Sequence, residues 1–173
     1  MGTHGETPSD GLAARAAASK SPLRVLLHVP VPWVFVLMYL VGICLELAFP
    51  LGFGLPGVRV DLGGAGFFVL GAAIAGWGLA IFHRNRTTTV PGRTSARLVT
   101  WGPYRYTRNP MYVGLVLAYI GEAGLMRQLW PVVLLPLVVV YLNSTVIPLE
   151  EERLSGAFPR EYLAYKAAVR RWI

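Results

Sequence analysis

Two polar segments in the second half of the chain flank an apolar stretch and carry the side chains best suited to chemistry. The first, residues 102–114, reads GPYRYTRNPMYVG, and the second, residues 150–154, reads EEERL. The glutamates follow directly after a long apolar run, so they would lie close to lipid, where an unpaired charge is costly. Arg105 and Arg108 are their candidate partners, because the two segments flank the same apolar hairpin. These residue types therefore predict a polar pocket between the two segments.

Both segments also have a simpler interpretation. Tyr and Arg side chains favour the membrane–water interface, so residues 102–114 would only anchor a helix at that depth. The glutamates would form a solvated charge run. A Gly-x-Gly pattern at Gly76 and Gly78, inside an earlier apolar run, allows either contact with a ligand or close packing of two membrane helices. The residue pattern alone leaves these alternatives open.

Four apolar runs would position such a pocket. They are residues 31–49, 65–82, 110–126 and 128–149. A transmembrane helix needs about 20 apolar residues, so we predict an all-α integral membrane protein with about four transmembrane helices. The last two runs are joined by a very short turn, which predicts an antiparallel hairpin. Glu46 and Glu122 are functional candidates because they are acids in membrane runs, but both lie near run ends, where snorkelling to the interface is the simpler account.

Composition and charge support a membrane protein. Only 14% of the residues are charged, against roughly 25% in an average soluble domain. The net charge of +7 is spread between the apolar runs, so we expect no nucleic-acid partner. Of the 16 Lys and Arg residues, all except Arg59 and Arg127 fall on the side that holds both termini and residues 83–109, which predicts that this side is cytoplasmic. With Cys44 as the single cysteine and three scattered histidines, we expect no metal site.

The two ends of the chain differ in character. We predict a disordered tail at residues 1–22, which are rich in Gly, Ala, Ser and Thr, and a single transmembrane domain at residues 23–173. After residue 149, apolar side chains recur every three or four positions, as on one face of a helix. They are Leu154, Phe158, Tyr162, Tyr165 and Val169. Pro159 is expected to break or restart this amphipathic segment. The segment would lie against the cytoplasmic membrane surface or fold back over the bundle, covering the pocket.

Taken together, these segments resemble the isoprenylcysteine carboxyl methyltransferase and phospholipid methyltransferase superfamily of membrane enzymes. The resemblance rests on residues 102–114 and 150–154, followed by FPREYLAY at 158–165 and VRR at 169–171. The order and spacing of these motifs agree with the family pattern. Asn109 stands where many members have His, and Pro159 replaces the usual Gly.

The resemblance implies S-adenosylmethionine as the methyl donor, bound between the cytoplasmic ends of the last two spans and the C-terminal segment. The cofactor-binding residues that it implies are Tyr104, Arg108, Asn109, Tyr112, Glu150, Glu151, Tyr162 and Tyr165, with Gly76 and Gly78 from the Gly-x-Gly pattern. Arg108 and Glu151 are the candidate catalytic residues. Arg108 would pair with the methionine carboxylate, a glutamate would bind the amino group or the ribose, and tyrosine faces would lie near the sulfonium.

The acceptor stays open at this stage. A pocket beside the bilayer favours a lipid-like or prenylated small molecule, either a carboxylate of the isoprenoid or prenylcysteine type or a lipid amine. No general base is evident in the sequence. Two other classes remain as alternatives, an NADPH-dependent membrane reductase of the sterol reductase type and a non-catalytic membrane protein that retains the fold.

Overall fold

The computed structural model describes residues 31–54, 56–84 and 98–173. The predicted tail, residues 1–22, lies outside these ranges, and so does much of the predicted connection 83–109. The helices are α1 (Val31–Ala48), α2 (Gly57–Arg84), a 3₁₀ helix (Gly102–Arg105), α3 (Pro110–Leu125), α4 (Leu129–Tyr141), a π-helix (Leu142–Val146), α5 (Ile147–Ala157) and α6 (Pro159–Ala168). The described residues contain no strand. The predicted all-α membrane fold is thus confirmed.

Three helical stretches among the described residues are long and apolar enough to cross a membrane. They are α1, α2 and the continuous stretch Leu129–Ala157. The α3 helix has 16 residues, which is about 24 Å at 1.5 Å per residue and shorter than a hydrocarbon core of roughly 30 Å. The count of four spans therefore stays a prediction. The α2 helix begins at Gly57, so Arg59 and Asp61 belong to its first turns, although the apolar run of the sequence begins only at residue 65.

The α2 and α3 helices pack at backbone distance through matched glycines. Gly64 and Gly71 on α2 are both buried and lie seven residues apart on one face. A Cβ built at Gly64 would lie 2.8 Å from the backbone nitrogen of Leu125, and one at Gly114 would lie 2.6 Å from that of Ala75. Neither position has room for a side chain. Close backbone approach of this kind maximises van der Waals contact between membrane helices.

The α1 helix packs against α4 through Gly42 and against α3 through aromatic rings. A Cβ at Gly42 would lie 2.8 Å from Cγ of Pro131. The Tyr119 ring meets the rings of Phe35 and Tyr39 edge to face, with centroids 5.8 and 5.1 Å apart. Edge-to-face geometry is the favourable arrangement for aromatic pairs. These contacts hold the hairpin of α3 and α4 in one orientation.

Glu46 connects α1 to the start of α4 at the end of the bundle opposite the glutamate motif. Its Oε2 accepts hydrogen bonds from the backbone N–H groups of Leu129 (3.1 Å) and Trp130 (3.3 Å). Its Oε1 accepts one from the N–H of Leu51 at 2.7 Å. The first N–H groups of a helix have no partner within the helix, and a carboxylate there is favoured by the helix dipole. The Glu46 carboxylate thus acts as an N-terminal cap provided by another helix.

Removing this cap should destabilise the bundle without affecting the glutamate motif at the other end. We expect Glu46→Ala to lower the free energy of unfolding by about 0.5–2 kcal/mol, the range measured for lost helix caps. Thermal unfolding in detergent would measure the change. Glu122→Ala is the matched control, because Glu122 is an exposed membrane acid and its side chain makes no hydrogen bond or ion pair with the described residues. Equal effects of the two substitutions would contradict the capping role.

The last part of the chain folds back over one end of the bundle. The α5 helix ends at Ala157 and α6 restarts at Pro159, which confirms the predicted break. The predicted apolar face is also confirmed, since Tyr162 and Tyr165 are buried and the other three members pack against them. After α6 the chain forms a non-helical segment, residues 169–173, which we call the C-terminal strap.

Candidate functional site

Glu151 lies at the centre of a cluster of cations and is itself 7% exposed. Arg171 donates to both of its oxygens, from Nε to Oε1 and from Nη2 to Oε2, each at 3.0 Å. Nη1 of Arg108 lies 3.3 Å from Oε1, and Nζ of Lys166 lies 3.5 Å from Oε2. The predicted pairing of Arg108 with the glutamate motif is therefore present. Arg105 is exposed and forms no ion pair with the described acids.

The Glu151 carboxylate changes the pKa of Arg171, which donates two hydrogen bonds to it. The hydrogen bonds from Arg171 to Glu151, and the attraction between their charges, raise the pKa of the Arg171 guanidinium further above its ordinary value. Arg171 therefore stays charged throughout the physiological range, and the bidentate pair gives the strap a fixed geometry.

Arg108 has hydrogen-bonding capacity to spare. Its side chain is 10% exposed, and its Nε and Nη1 have no hydrogen-bond partner among the described residues. The contact with Glu151 supplies charge but no well-aligned hydrogen bond. A buried N–H without a partner costs free energy, and guanidinium can only donate. Arg108 is therefore suited to receive an anionic group.

The segment around Arg108 holds the C-terminal strap through backbone carbonyls. The N–H of Arg108 donates to the carbonyl of Arg170 at 2.9 Å. The carbonyl of Arg171 accepts from Oγ1 of Thr107 at 3.0 Å and from Nδ2 of Asn109 at 2.9 Å. Asn109, a candidate cofactor residue, thus has its amide nitrogen engaged with the strap. Thr107 was not among the predicted site residues, because the resemblance implied no role for that position.

Three tyrosines form an aromatic wall beside this cluster. The phenol of Tyr165 donates to the carbonyl of Tyr104 at 2.7 Å, and the rings of Tyr162 and Tyr165 lie 6.2 Å apart. Burial raises the pKa of all three phenols, so they stay neutral at physiological pH. The hydroxyl of Tyr104 is buried and has no hydrogen-bond partner among the described residues. It is a second group suited to a polar ligand.

The two glycines of the Gly-x-Gly pattern occupy different environments. A Cβ at Gly78 would lie 2.9 Å from Cγ of Met111 and 3.6 Å from the hydroxyl of Tyr104. A Cβ at Gly76 would meet nothing within 4 Å. Gly78 thus borders the tyrosine wall and continues the packing face of α2, whereas Gly76 lies outside the cluster.

Glu150 and Glu151 point in different directions, as neighbouring residues of a helix do. Oε1 of Glu150 accepts a hydrogen bond from the phenol of Tyr112 at 2.7 Å. This contact joins α5 to the first turn of α3. Tyr112 and Glu150, both predicted cofactor residues, are therefore hydrogen-bonded to each other. Glu150 directly precedes Glu151, the centre of the cation cluster, in the sequence.

Arg171, Lys166 and Thr107 are site residues that the sequence analysis did not select. Arg171 belongs to the Val-x-Arg motif at 169–171, so its signal was present but carried no assigned role. Lys166 lies on the polar face of α6 and is 47% exposed at its side chain. Helical periodicity treats such a lysine as a solvated surface residue, and only the fold brings it to Glu151.

Comparison with known proteins places this site in a family. The phospholipid methyltransferase family model matches residues 60–161, more than half of the chain, including both polar segments. The cobalt-zinc-cadmium resistance protein CzcN of Cupriavidus metallidurans is 34% identical over 76 residues, 44% of this chain and 35% of that protein. The nickel-cobalt-cadmium resistance protein NccN of Alcaligenes xylosoxydans xylosoxydans is 33% identical over 70 residues, 40% of this chain and 33% of that protein.

The chain spans about a third of the length of these two curated relatives. No solved structure matches. The family match covers Tyr104, Arg108, Glu150 and Glu151, and it confirms the resemblance inferred from the motifs. The chain therefore belongs to the phospholipid methyltransferase family.

Proposed function

We propose that this protein transfers a methyl group from S-adenosylmethionine to a lipid-like acceptor at the cytoplasmic membrane surface. The observation that carries the proposal is the buried Arg108 guanidinium, which has unused N–H donors and lies beside Glu151. Membership of a methyltransferase family supports the reaction class.

The side chains present fit this donor. The methionine carboxylate needs N–H donors in a sheltered site, and Nε and Nη1 of Arg108 are such donors. A carboxylate forms strong, charge-assisted hydrogen bonds with guanidinium. The free hydroxyl of Tyr104 offers a further polar contact, and Oε1 of Glu151 lies 3.3 Å from Nη1 of Arg108. We assign Arg108 to the donor's carboxylate and Glu151 to the orientation of Arg108.

When bound, S-adenosylmethionine would supply a methyl group on a sulfonium, and the neutral thioether that departs on transfer is a good leaving group. The protein then has to align the acceptor and to exclude water. Alignment alone can account for a large part of a rate enhancement. Tyr104, Tyr162 and Tyr165 are all buried, and their neutral faces are suited to a cationic neighbour. Burial of the tyrosine wall provides the dry surroundings that favour loss of a positive charge.

The acceptor is proposed to be amphipathic and to enter from the bilayer. The site lies at the end of apolar helices, so a molecule anchored in lipid reaches it without leaving the membrane. A carboxylate of the isoprenoid or prenylcysteine type and a lipid amine both fit this location. The distribution of Lys and Arg supports a cytoplasmic location for the site and for both termini.

Calorimetric titration of the detergent-purified protein with S-adenosylmethionine tests the donor. We expect saturable binding by the wild type and a dissociation constant at least tenfold higher for Arg108→Ala, because hydrogen bonds to charged groups contribute about 1.5–3 kcal/mol. Arg105→Ala is the matched control, since Arg105 belongs to the same segment but is exposed. Absence of binding by folded wild-type protein would overturn the proposal.

The acceptor class is tested separately with methyl-labelled S-adenosylmethionine. The protein would be reconstituted into vesicles of phosphatidylethanolamine and phosphatidylglycerol, with and without a prenylated cysteine analogue. Label in the lipid fraction alone would favour a lipid amine, and label that depends on the analogue would favour a carboxylate.

A further inference from the structure

The fourth apolar run contains a π-helix, Leu142–Val146, between α4 and α5. The buried positions on the inward face are Leu135, Val138, Leu142, Ile147 and Glu151. The step from Leu142 to Ile147 is five residues, whereas the two preceding steps and the one following step are three or four residues. A π-turn absorbs one extra residue in this way and is frequently found at functional sites. The inward face, and with it Glu151, thus keeps its direction although the run contains an additional residue.

The π-helix carries the polar residue that meets the C-terminal strap. The indole Nε1 of Trp172 donates to Oδ1 of Asn143 at 2.9 Å. Indole can only donate, so the amide oxygen must face it and the orientation of the Asn143 side chain is determined. A polar side chain in a membrane-spanning helix is costly unless it has a partner. Trp172 supplies that partner from outside the bundle.

The strap has no regular secondary structure, so side-chain and carbonyl contacts determine its position. Its Arg170 and Arg171 carbonyls bond to the segment at 107–109, and the Arg171 guanidinium bonds to Glu151. These contacts all involve residues that precede Trp172 in the chain. The hydrogen bond from Trp172 to Asn143 attaches the strap to the membrane-spanning helix as well.

We propose that Asn143 is a positioning residue for cofactor binding, because it holds Trp172 and thereby keeps Arg171 paired with Glu151. The proposal rests on the proposed function for its effect on S-adenosylmethionine, whereas its structural part stands on the contacts alone. Loss of the Asn143–Trp172 hydrogen bond would let the strap leave the segment at 107–109. Glu151 would then lose its bidentate partner, and Arg108 would lose the carbonyl contact that fixes its backbone.

Hydrogen exchange of the strap amides, measured by mass spectrometry on the full chain in detergent, directly tests whether the Asn143–Trp172 hydrogen bond holds the strap. We expect faster exchange at residues 170–173 in Asn143→Leu, which removes the acceptor oxygen but suits a membrane helix. The dissociation constant for S-adenosylmethionine should rise about fivefold, as for the loss of one neutral hydrogen bond. Trp172→Phe should have the same two effects, and the double variant should be no worse than either single one.

Rescue separates positioning from a general effect on folding. Asn143→Gln keeps an amide oxygen and should restore slow exchange and much of the affinity. Ser144→Ala is the control, because among the described residues the neighbouring Ser144 hydroxyl bonds only to the carbonyl of Val140 and to Thr145. Unchanged strap exchange in Asn143→Leu, or an equal effect of Ser144→Ala, would overturn the proposal. If the wild type bound no S-adenosylmethionine, the proposed function would fail, and the exchange rates would still decide whether Asn143 positions the strap.

Discussion

Replacing Glu151 with alanine is expected to abolish measurable S-adenosylmethionine binding and to destabilise the protein. The substitution removes the carboxylate that Arg108, Arg171 and Lys166 share. Breaking a buried ion pair by removing one partner costs roughly 3–5 kcal/mol. The lower end applies here, because the side chains of Arg171 and Lys166 are 34% and 47% exposed and can turn to water. Arg108 cannot, since its side chain is only 10% exposed.

Glu152→Ala is the matched control for this substitution. Glu152 carries the same charge and lies in the same helix, but it is exposed. Its side chain makes no hydrogen bond or ion pair with the described residues. We expect its replacement to leave both cofactor affinity and thermal unfolding nearly unchanged. Calorimetry and a thermal unfolding curve on each variant would measure the two quantities. Comparable losses in the two variants would show that net acidity near the membrane matters and that the geometry around Glu151 does not.

The contrast among the three successive glutamates shows what the sequence could and could not predict. The motif indicated that acids after an apolar run need partners, and Arg108 was correctly chosen as one. Arg171 and Lys166 were not assigned to Glu151, because they lie 20 and 15 positions further along and the break at Pro159 sets their approach. Helical periodicity describes one helix at a time and gives no information about how two helices are joined.

The acid at the opposite end illustrates the same limit. Composition made Glu46 a membrane acid, and its place near the end of a run suggested snorkelling to the interface. The structure instead shows it accepting hydrogen bonds from the first N–H groups of α4. Those N–H groups are more than eighty positions away. The need for a partner was predictable from physical chemistry, whereas the identity of the partner was not.

The glycines show where more could have been taken from the sequence. Residues two apart on a helix point about 200° apart, so Gly76 and Gly78 could not both face the same ligand. A stripe at Gly64, Gly71 and Gly78, with heptad spacing, was also visible in the printed sequence. That stripe marks the face of α2 that packs on α3 and, at Gly78, borders Tyr104.

Replacing Gly71 with alanine is therefore expected to disrupt the fold. A Cβ at Gly71 would lie 2.5 Å from the carbonyl oxygen of Gly114 and would overlap the backbone nitrogen of Ala118. Backbone atoms cannot rotate away, so α2 and α3 would have to separate. Overpacking of a well-packed interior costs about 1–3 kcal/mol or more. We expect a clear loss of monodisperse protein and a lower unfolding temperature.

Separation of these helices would also reach the candidate site. Tyr104 meets the ring of Phe82, near the end of α2, with centroids 5.5 Å apart, while Tyr112 and its partner Glu150 depend on α3. Moving α2 away from α3 would displace the tyrosine wall relative to Arg108. Any folded Gly71→Ala protein is therefore expected to bind S-adenosylmethionine at least tenfold more weakly.

Gly76→Ala is the matched control for Gly71→Ala. Gly76 lies on the same helix, five residues further on, and a Cβ there would meet nothing within 4 Å. Alanine is favoured over glycine within a helix by about 1 kcal/mol, so stability should be equal or slightly higher and cofactor affinity unchanged. Weaker binding by a stable Gly76→Ala protein would instead place Gly76 beside the cofactor, as the Gly-x-Gly pattern first suggested. Normal stability of Gly71→Ala would show that the two helices tolerate a wider separation than their glycine faces indicate.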